Sequence, residues 1–250
     1  VKEGYKDITL LGQNVNSYCK DLNIGYDFSD LLRDINNIDG KFRIRFMTSH
    51  PKDATEKLFD TIAECDKVCK HIHLPFQSGS DRVLSLMNRR YTAEKYLALV
   101  KYAKEKIPGV SFTSDVIVGF PTETEEDFEE TLGLIKEVGF SGLYTFLFSP
   151  RPNTPAATMD GQIPQTVKSE RFSRLLALQN ENSLKANEKY LGKTVEVLVE
   201  GYPDGDSENM TGRTEDNTIV RFPAKDGIVG KFVSVKIDKA LNWAVFGRII

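Results

Sequence analysis

The sequence predicts an α/β chain in two parts: a run of strand-then-helix units with parallel strands, followed by a small all-β barrel. Three observations carry this. From Asp7 onward a short β-branched or aromatic run, a loop of Gly, Ser, Pro and Asn, and a segment with helical apolar spacing recur in that order, and such alternation implies parallel strands. After Gly192 the apolar period switches to two, the mark of strands with one buried face. The 250 residues are 40% hydrophobic, enough for one large or two modest cores rather than a disordered chain.

In order along the chain, strands are expected at 7–15, 42–48, 71–76, 111–118 and 142–148. The helices between them carry stripes at three- and four-residue steps: Leu31, Leu32, Ile35 and Ile38, then Tyr96, Val100, Ala103 and Ile107, then Phe128, Leu132, Ile135 and Val138. Stripes of this kind are core faces packed on a sheet. Thr124 and Asp127 are spaced to cap the third of these helices, and Pro108-Gly109 stops the second. These units fit an open doubly wound sheet or a (β/α) barrel, complete or partial, and in both a ligand meets the loops at the carboxyl ends of the strands. Those loops, 11–17, 48–51, 75–80, 119–122 and 149–154, are rich in amide, hydroxyl, Gly and Pro chemistry, which suits close approach of backbone to a ligand.

A polar stretch at 158–164 then leads into a long helix over 165–190, with Phe172, Leu175, Leu176 and Leu184 inward and Gly192 closing it. Beyond it Val195, Val197 and Val199, then Val233, Val235 and Ile237, alternate with polar residues; with 210–213, 218–222 and 243–249 they make five short strands. An OB-like antiparallel barrel closes such a set without exposed edges. The expected domains are 1–192 and 193–250.

A net charge of -3 argues against binding nucleic acid by bulk positive charge and leaves room for a local basic patch. Three cysteines, Cys19, Cys65 and Cys69, are an odd number in a chain too large to need disulfides, which favours a reducing, cytoplasmic compartment. No apolar run approaches the roughly 18 residues of a membrane span, so no membrane partner is expected. Val1-Lys-Glu-Gly-Tyr-Lys-Asp7 is charged and unlike a signal peptide; without an initiator Met, the chain reads as part of a longer protein.

Among residues with chemistry, Cys69, His71 and His73 share one strand face and suggest a metal site. Inward barrel positions are ordinarily packed layers and no further ligands are indicated, so no metal is assigned. Cys65 and Cys69 form a C-x3-C and, with Cys19, no compact trio of thiolates. Gly119-Phe-Pro-Thr-Glu-Thr124 lacks the Lys of a P-loop and the spaced glycines of a dinucleotide fingerprint. At a helix start it offers amides to a polar group, and a plain strand-to-helix turn reads equally well. Arg89-Arg90 suit a carboxylate or phosphate fork, although adjacent loop arginines are more often simply solvated. In the last domain Arg213, Arg221, Lys225, Lys231, Lys236, Lys239 and Arg248 lie among Phe222, Phe232, Trp243 and Phe246, a mixture that suits RNA. Asp204, Asp206 and Glu208 in the same domain leave that reading open.

Six segments occur in order: Leu10-Leu-Gly-Gln-Asn-Val-Asn-Ser-Tyr18, Thr48-Ser-His-Pro51, His71-Ile-His-Leu-Pro-Phe-Gln-Ser-Gly-Ser80, Met87-Asn-Arg-Arg-Tyr-Thr92, Val116-Ile-Val-Gly-Phe-Pro-Thr-Glu-Thr124 and Phe148-Ser-Pro-Arg-Pro-Asn-Thr-Pro155. With them the chain resembles the radical S-adenosylmethionine methylthiotransferases over essentially its whole length, its last domain resembling their RNA-binding TRAM domain. Gly12-Gln-Asn-Val-Asn-Ser-Tyr18 resembles the branch that methylthiolates an isopentenyl-modified adenosine beside the tRNA anticodon, rather than the branch acting on a ribosomal protein.

The resemblance implies a partial (β/α) TIM-like barrel of the radical SAM type followed by a TRAM barrel. It implies S-adenosylmethionine as cofactor and two [4Fe–4S] clusters in the intact protein, whose ligands are absent from these residues, so that this chain alone is expected to be inactive. One cluster would cleave S-adenosylmethionine, the adenosyl radical would take hydrogen from the base, the second cluster would supply sulfur and a further S-adenosylmethionine the methyl group. Implied partners are the tRNA anticodon stem-loop and an electron donor for cluster reduction; a monomer is expected. By position at strand ends, Gln13, Asn14, Ser49 and His50 would face the cofactor, Gln77 and Ser78 its ribose or amino-acid part, Arg90 its carboxylate, and Val118 and Gly119 would offer backbone to the adenine. Arg151 and Asn153 would line the substrate side, with Arg213, Arg221 and Lys231 on the RNA. No catalytic residue is assigned. A non-catalytic RNA-binding module is the competing reading; a Schiff-base lyase would need a Lys at a strand end facing the mouth, and none is expected there.

Overall fold

A computed structural model describes residues 1–22, 24–47 and 49–250. Strands β1 (Asp7–Leu10) and β2 (Arg43–Phe46) pair in parallel. A bridge between Ile44 and Val68 joins β2 to the approach to β3 (His71–His73), and β4 (Ser111–Val118) and β5 (Gly142–Leu147) continue in parallel from β3. The five strands thus lie side by side in chain order. A doubly wound sheet reverses its order part-way and a (β/α) barrel does not, so the partial barrel is the architecture formed. Among the described residues β1 and β5 do not pair.

Two strands stop well short of expectation, β1 and β3. After Leu10 the chain leaves the sheet and closes into a single turn at Val15–Ser17. After His73 it meets Pro75, which has no N–H for the ladder, and Gln77 rejoins the sheet through one bridge to Val116. Thr48, the expected end of the second strand and start of its loop, lies outside the described residues.

Helix α1 (Phe28–Asn36) is capped by Asp27, and α2 (Glu56–Glu64), α3 (Asp81–Leu86) and α4 (Ala93–Lys106) follow. Helix α5 (Glu125–Val138) opens on the reciprocal Thr124–Asp127 cap that the spacing predicts. The stripes Tyr96, Val100, Ala103, Ile107 and Phe128, Leu132, Ile135, Val138 are buried with the outward strand residues Ile44, Phe46, Ile72 and Val116. Ile38 is 47% exposed: α1 ends at Asn36, so Ile38 never reaches the helical face it was expected to join.

A larger correction concerns α7 (Gln165–Glu188), which follows the short α6 (Pro155–Thr158). Leu176 is 39% exposed, and the buried face is Lys168, Arg171, Leu175, Gln179, Ser183 and Asn187. This face is polar because α7 hooks carbonyls at both ends of β5. Lys168 Nζ donates to the Phe148 carbonyl at 2.9 Å, Gln179 Nε2 to Phe140 at 3.1 Å and Ser183 Oγ to Ser141 at 3.0 Å. Buried carbonyls need partners, and here a helix from elsewhere in the chain supplies them.

Strands β6 (Thr194–Gly201), β7 (Asn209–Arg213), β8 (Ile219–Pro223), β9 (Phe232–Ala240) and β10 (Val245–Ile249) close into a barrel around Val197, Met210, Val220, Phe222 and Ile237. It departs from the expected all-antiparallel arrangement in one pair, β10 beside β8, which is parallel. This barrel docks at the amino ends of β2 to β4. Arg43 donates to the carbonyls of Arg213 and Glu196, Arg45 to those of Thr214 and Glu215, and Ser111 Oγ to that of Asp216 at 2.8 Å. The Asp216 carboxylate accepts from Tyr190, Lys189 and Thr214.

Candidate functional site

Side chains alternate along each parallel strand. Opposite the apolar outward set, the register brings Asp7 and Thr9, Arg43 and Arg45, His71 and His73, Thr113 and Asp115, and Tyr144 and Phe146 onto one concave face. Thr113 Oγ1 sits between two imidazoles, 2.9 Å from His71 Nε2 and 3.1 Å from His73 Nδ1. His73 Nε2 lies 3.5 Å from Asp115 Oδ1, and its ring meets Tyr144 edge-on at 5.5 Å. Burial, helped by Arg45 and His73, drives the His71 imidazole down to about 4. Burial also lowers His73 against the pull of Asp115, and raises Asp115 against that of His73 and Arg89. Among the described residues no three His, Cys, Asp or Glu side chains converge on one point.

At the carboxyl ends of the strands three buried polar atoms find no hydrogen-bond partner among the described residues: Asn14 Oδ1, Ser49 Oγ and Arg89 Nε. A network links their loops. Asn14 Nδ2 donates to Asp53 at 2.6 Å, Asn16 pairs with both backbone groups of His50, and His50 Nε2 lies 3.5 Å from Arg89 Nη1. Burial and then Arg89 lower the His50 imidazole. Gln77, buried at the end of β3, holds φ 67°, a conformation rare outside glycine. Its N–H donates to Asp115 at 2.9 Å and its carbonyl accepts from Ile117 at 3.0 Å. The loop is pressed onto α5 at Gly79, where a Cβ would lie 2.5 Å from Thr131 Cα and 2.6 Å from the Glu130 carbonyl.

Of the residues expected at this mouth, Asn14, Ser49 and His50 lie on the linked loops and Gln77 is buried in the loop after β3, while several others are turned elsewhere. The Ser78 hydroxyl turns to Thr131 at 3.3 Å and accepts the Ser80 amide, so it faces α5. Arg90 is exposed, and Arg89 takes the inward place. The cause is the end of α3: Asn88 has φ 56°, its N–H donates to Ser85, and the Arg89 N–H donates to Leu84 at 2.8 Å, a left-handed cap that aims the next side chain back across the helix end. The Val118 carbonyl accepts from Phe148 at 2.8 Å and the Gly119 N–H donates to Glu123 at 3.0 Å, so that N–H is already taken within the chain. Gln13 is exposed, as are Arg151 and Asn153 on the loop after β5.

Residues 1–135 match the family model of the Radical SAM superfamily, and residues 188–250 that of the TRAM domain. The chain belongs to the radical SAM superfamily. It is 56% identical over 247 residues to tRNA-2-methylthio-N(6)-dimethylallyladenosine synthase of Alkaliphilus oremlandii, covering 99% of this chain and 52% of that one. Its identity to the same-named protein of Acetivibrio thermocellus is 52% over 249 residues, covering 100% of this chain and 52% of the relative. The chain thus spans about half the length of the curated relatives it matches. Among solved structures it is similar to coproporphyrinogen III oxidase from Escherichia coli, with TM-score 0.49, 22% identity, and 62% of this chain against 36% of that chain covered.

The radical SAM superfamily works with S-adenosylmethionine and [4Fe–4S] clusters. The mouth of this radical SAM barrel fits the first: a ligand with amino, carboxylate and hydroxyl groups offers partners to the unpaired atoms of Asn14, Ser49 and Arg89. The cysteines do not fit a cluster. Cys65 and Cys69 are buried, burial raises both thiols and carries that of Cys69 to about 11, and Cys19 stands on a different loop. Thiolates are what such clusters need.

On the TRAM barrel the basic and aromatic residues sort themselves. The Arg221 guanidinium lies 5.5 Å over Trp243, Trp243 meets Phe246 edge-on at 5.4 Å, and Lys239 Nζ lies 5.6 Å over Phe246. Phe222 belongs instead to the core and Phe232 takes Lys41 and Arg43 at the junction. Arg213 is held by Glu200 at 3.0 Å, and Lys231 is exposed outside the Arg221–Trp243–Phe246–Lys239 cluster. Sequence reasoning weighed Arg89 together with Arg90 but assigned only Arg90 to the cofactor, and it passed over Asp115 and Tyr144. Thr113 and Asp115 carried no clean signal, because Ser114 between them makes the stretch polar on both faces.

Proposed function

We propose that this chain forms the S-adenosylmethionine-binding barrel and the RNA-binding domain of a tRNA methylthiotransferase, one that adds a methylthio group to C2 of an isopentenyl-modified adenosine next to the anticodon. The observation that carries the reading is the trio of buried, unpartnered atoms, Asn14 Oδ1, Ser49 Oγ and Arg89 Nε, at the end of the barrel where this architecture binds ligands. Identity of 52–56% over the whole chain to proteins of that name adds to it. S-adenosylmethionine, when bound, supplies a radical source and a methyl group. The residues of this chain bind and orient it. Arg89 takes its carboxylate by a charge-assisted fork, Asn14 and Ser49 meet its polar groups beside a neutral His50, and Gln77, fixed by two backbone hydrogen bonds, meets its ribose.

Tyr144 and Phe146, about half exposed on the inward face of β5, offer rings to the target base, with Arg151 and Asn153 on the loop beyond as the substrate side. The anticodon stem-loop approaches over Arg221, Trp243, Phe246 and Lys239, with Arg213 and Lys231 adding charge. The protein works in the cytoplasm as a monomer with a separate electron donor. In the full-length protein, Gln77→Ala should weaken S-adenosylmethionine cleavage and Arg89→Ala its binding, while Arg90→Ala leaves both at the wild-type level. Wild-type cleavage and binding in both of the first two variants would remove the assignment of the mouth as the cofactor site.

A further inference from the structure

Between the two barrels lies a cavity of about 350 Å³ that the reading above leaves unused. Its walls are the amino end of β5, the polar face of α7, the β7–β8 hairpin and the turn before β10, and amide and hydroxyl groups of Gln179, Asn180, Ser183, Asn187, Asn217 and Asn242 share its lining with apolar Leu143, Leu176 and Ile219. One of these groups is unfinished. Gln179 is 7% exposed, and its Nε2 donates to the Phe140 carbonyl at 3.1 Å and to Ser183 Oγ at 2.8 Å. Its Oε1 is buried and accepts nothing from the described residues. Turning the amide over would set a carbonyl oxygen against the Phe140 carbonyl, so the protein cannot satisfy this atom by itself.

The charged groups around the cavity are already balanced. Asp216 is held by Lys189 and the Tyr190 and Thr214 hydroxyls, Arg213 by Glu200, and buried His71 is neutral near pH 7. What remains is neutral hydrogen-bonding capacity beside an exposed aromatic ring, because Trp243 stands at the same cavity, 51% exposed, under the Arg221 guanidinium.

We propose that this cavity takes one unpaired nucleobase of the RNA substrate, a base other than the one that reacts. The proposal rests on the reading of the chain as an RNA-modifying enzyme. A base edge carries the N–H donors that Gln179 Oε1 lacks, and its face stacks on Trp243. The flanking phosphates lie toward Arg221 and Lys239. Only an unpaired base can enter from the side, since a base in a duplex is stacked and paired. The Arg43 and Arg45 clasp fixes the two barrels to one another, so a base held at the junction sets the distance from that nucleotide to the mouth.

The test is equilibrium binding of the full-length protein to a fluorescent RNA stem-loop, with single abasic substitutions scanned through the loop, for wild type, Trp243→Ala and Trp243→Phe. One abasic position should weaken wild-type binding roughly ten-fold, cost nothing further in Trp243→Ala, and regain its effect in Trp243→Phe. Asn242→Ala, at an exposed residue that donates to Asn180 at 2.9 Å, repeats the test should the tryptophan variants fail to fold. Losses that simply add at every loop position overturn the proposal and leave the RNA reading standing. A wild-type protein that ignores the stem-loop overturns both.

Discussion

At the amino end of the parallel barrel Arg43 and Arg45 deliver their donors to four backbone carbonyls and Ser111 to a fifth, whereas at the carboxyl end Asn14, Ser49 and Arg89 each keep a buried atom without a partner. Both ends belong to the same five strands, so the difference does not come from the fold. A buried polar atom left unpaired costs about 1–3 kcal/mol. The chain satisfies such groups where one domain locks onto the other and leaves them at the mouth proposed above as the cofactor site. Among the described residues the other two unpaired buried atoms, Gln179 Oε1 and Arg221 Nε, fall at the junction cavity and the basic aromatic face, both proposed above to meet RNA.

The largest test of this contrast is Arg43→Ala, which removes two charge-assisted hydrogen bonds and strands their acceptors. We expect a loss of about 4 kcal/mol in urea unfolding; a loss below about 1 kcal/mol would mean that the clasp is ornamental. Next comes pH. Folded His71 takes a proton only below about 4, while an unfolded imidazole does so near 6.5, so the unfolded chain binds more protons between those values. This contribution to stability is therefore complete above pH 6.5 and is lost as pH falls to about 4, by at most about 3 kcal/mol. The melting temperature of His71→Gln should fall less steeply than that of wild type across this window, and parallel curves would refute the assignment.

A smaller effect is expected from Gly119→Ala, because φ is 77° and the new Cβ would lie 2.5 Å from Lys168 Cγ. Lys168 is buried and its Nζ is held by the Phe148 carbonyl, so its stem moves only by giving up that bond. Added to the backbone penalty of about 1–2 kcal/mol, the loss should be about 2–3 kcal/mol, measurable by thermal unfolding. The smallest is Ser49→Ala. Removing an unpartnered hydroxyl should leave stability unchanged or raise it by about 1 kcal/mol, yet weaken S-adenosylmethionine binding in titration calorimetry. A destabilised variant with full cofactor affinity would erase the distinction between the two ends.

Capping and periodicity act over three or four residues, and there the sequence sufficed. The Thr124–Asp127 cap, the stripes of α4 and α5, the sequential strand–helix units and the switch to period two after Gly192 all form as expected. The motif segments also pointed to the family and to the loops that make the mouth. Direction within those loops was another matter. Arg89 and Arg90 are the same residue type side by side, and only the left-handed turn at Asn88 decides which one faces inward. Ser78 had the right composition for a ligand contact, but Thr131, 53 residues away, claims its hydroxyl.

The sequence by itself determined the elements, their order and the family of the chain, because hydrophobic period, caps and turn residues are properties of neighbours along the backbone. Tertiary structure alone decided that α7 buries a polar face, that the Gly119 amide is already taken, and that Gln179 Oε1 has no partner. Whether a polar group is free for chemistry depends on what the rest of the chain places within hydrogen-bonding distance, and no local pattern encodes that.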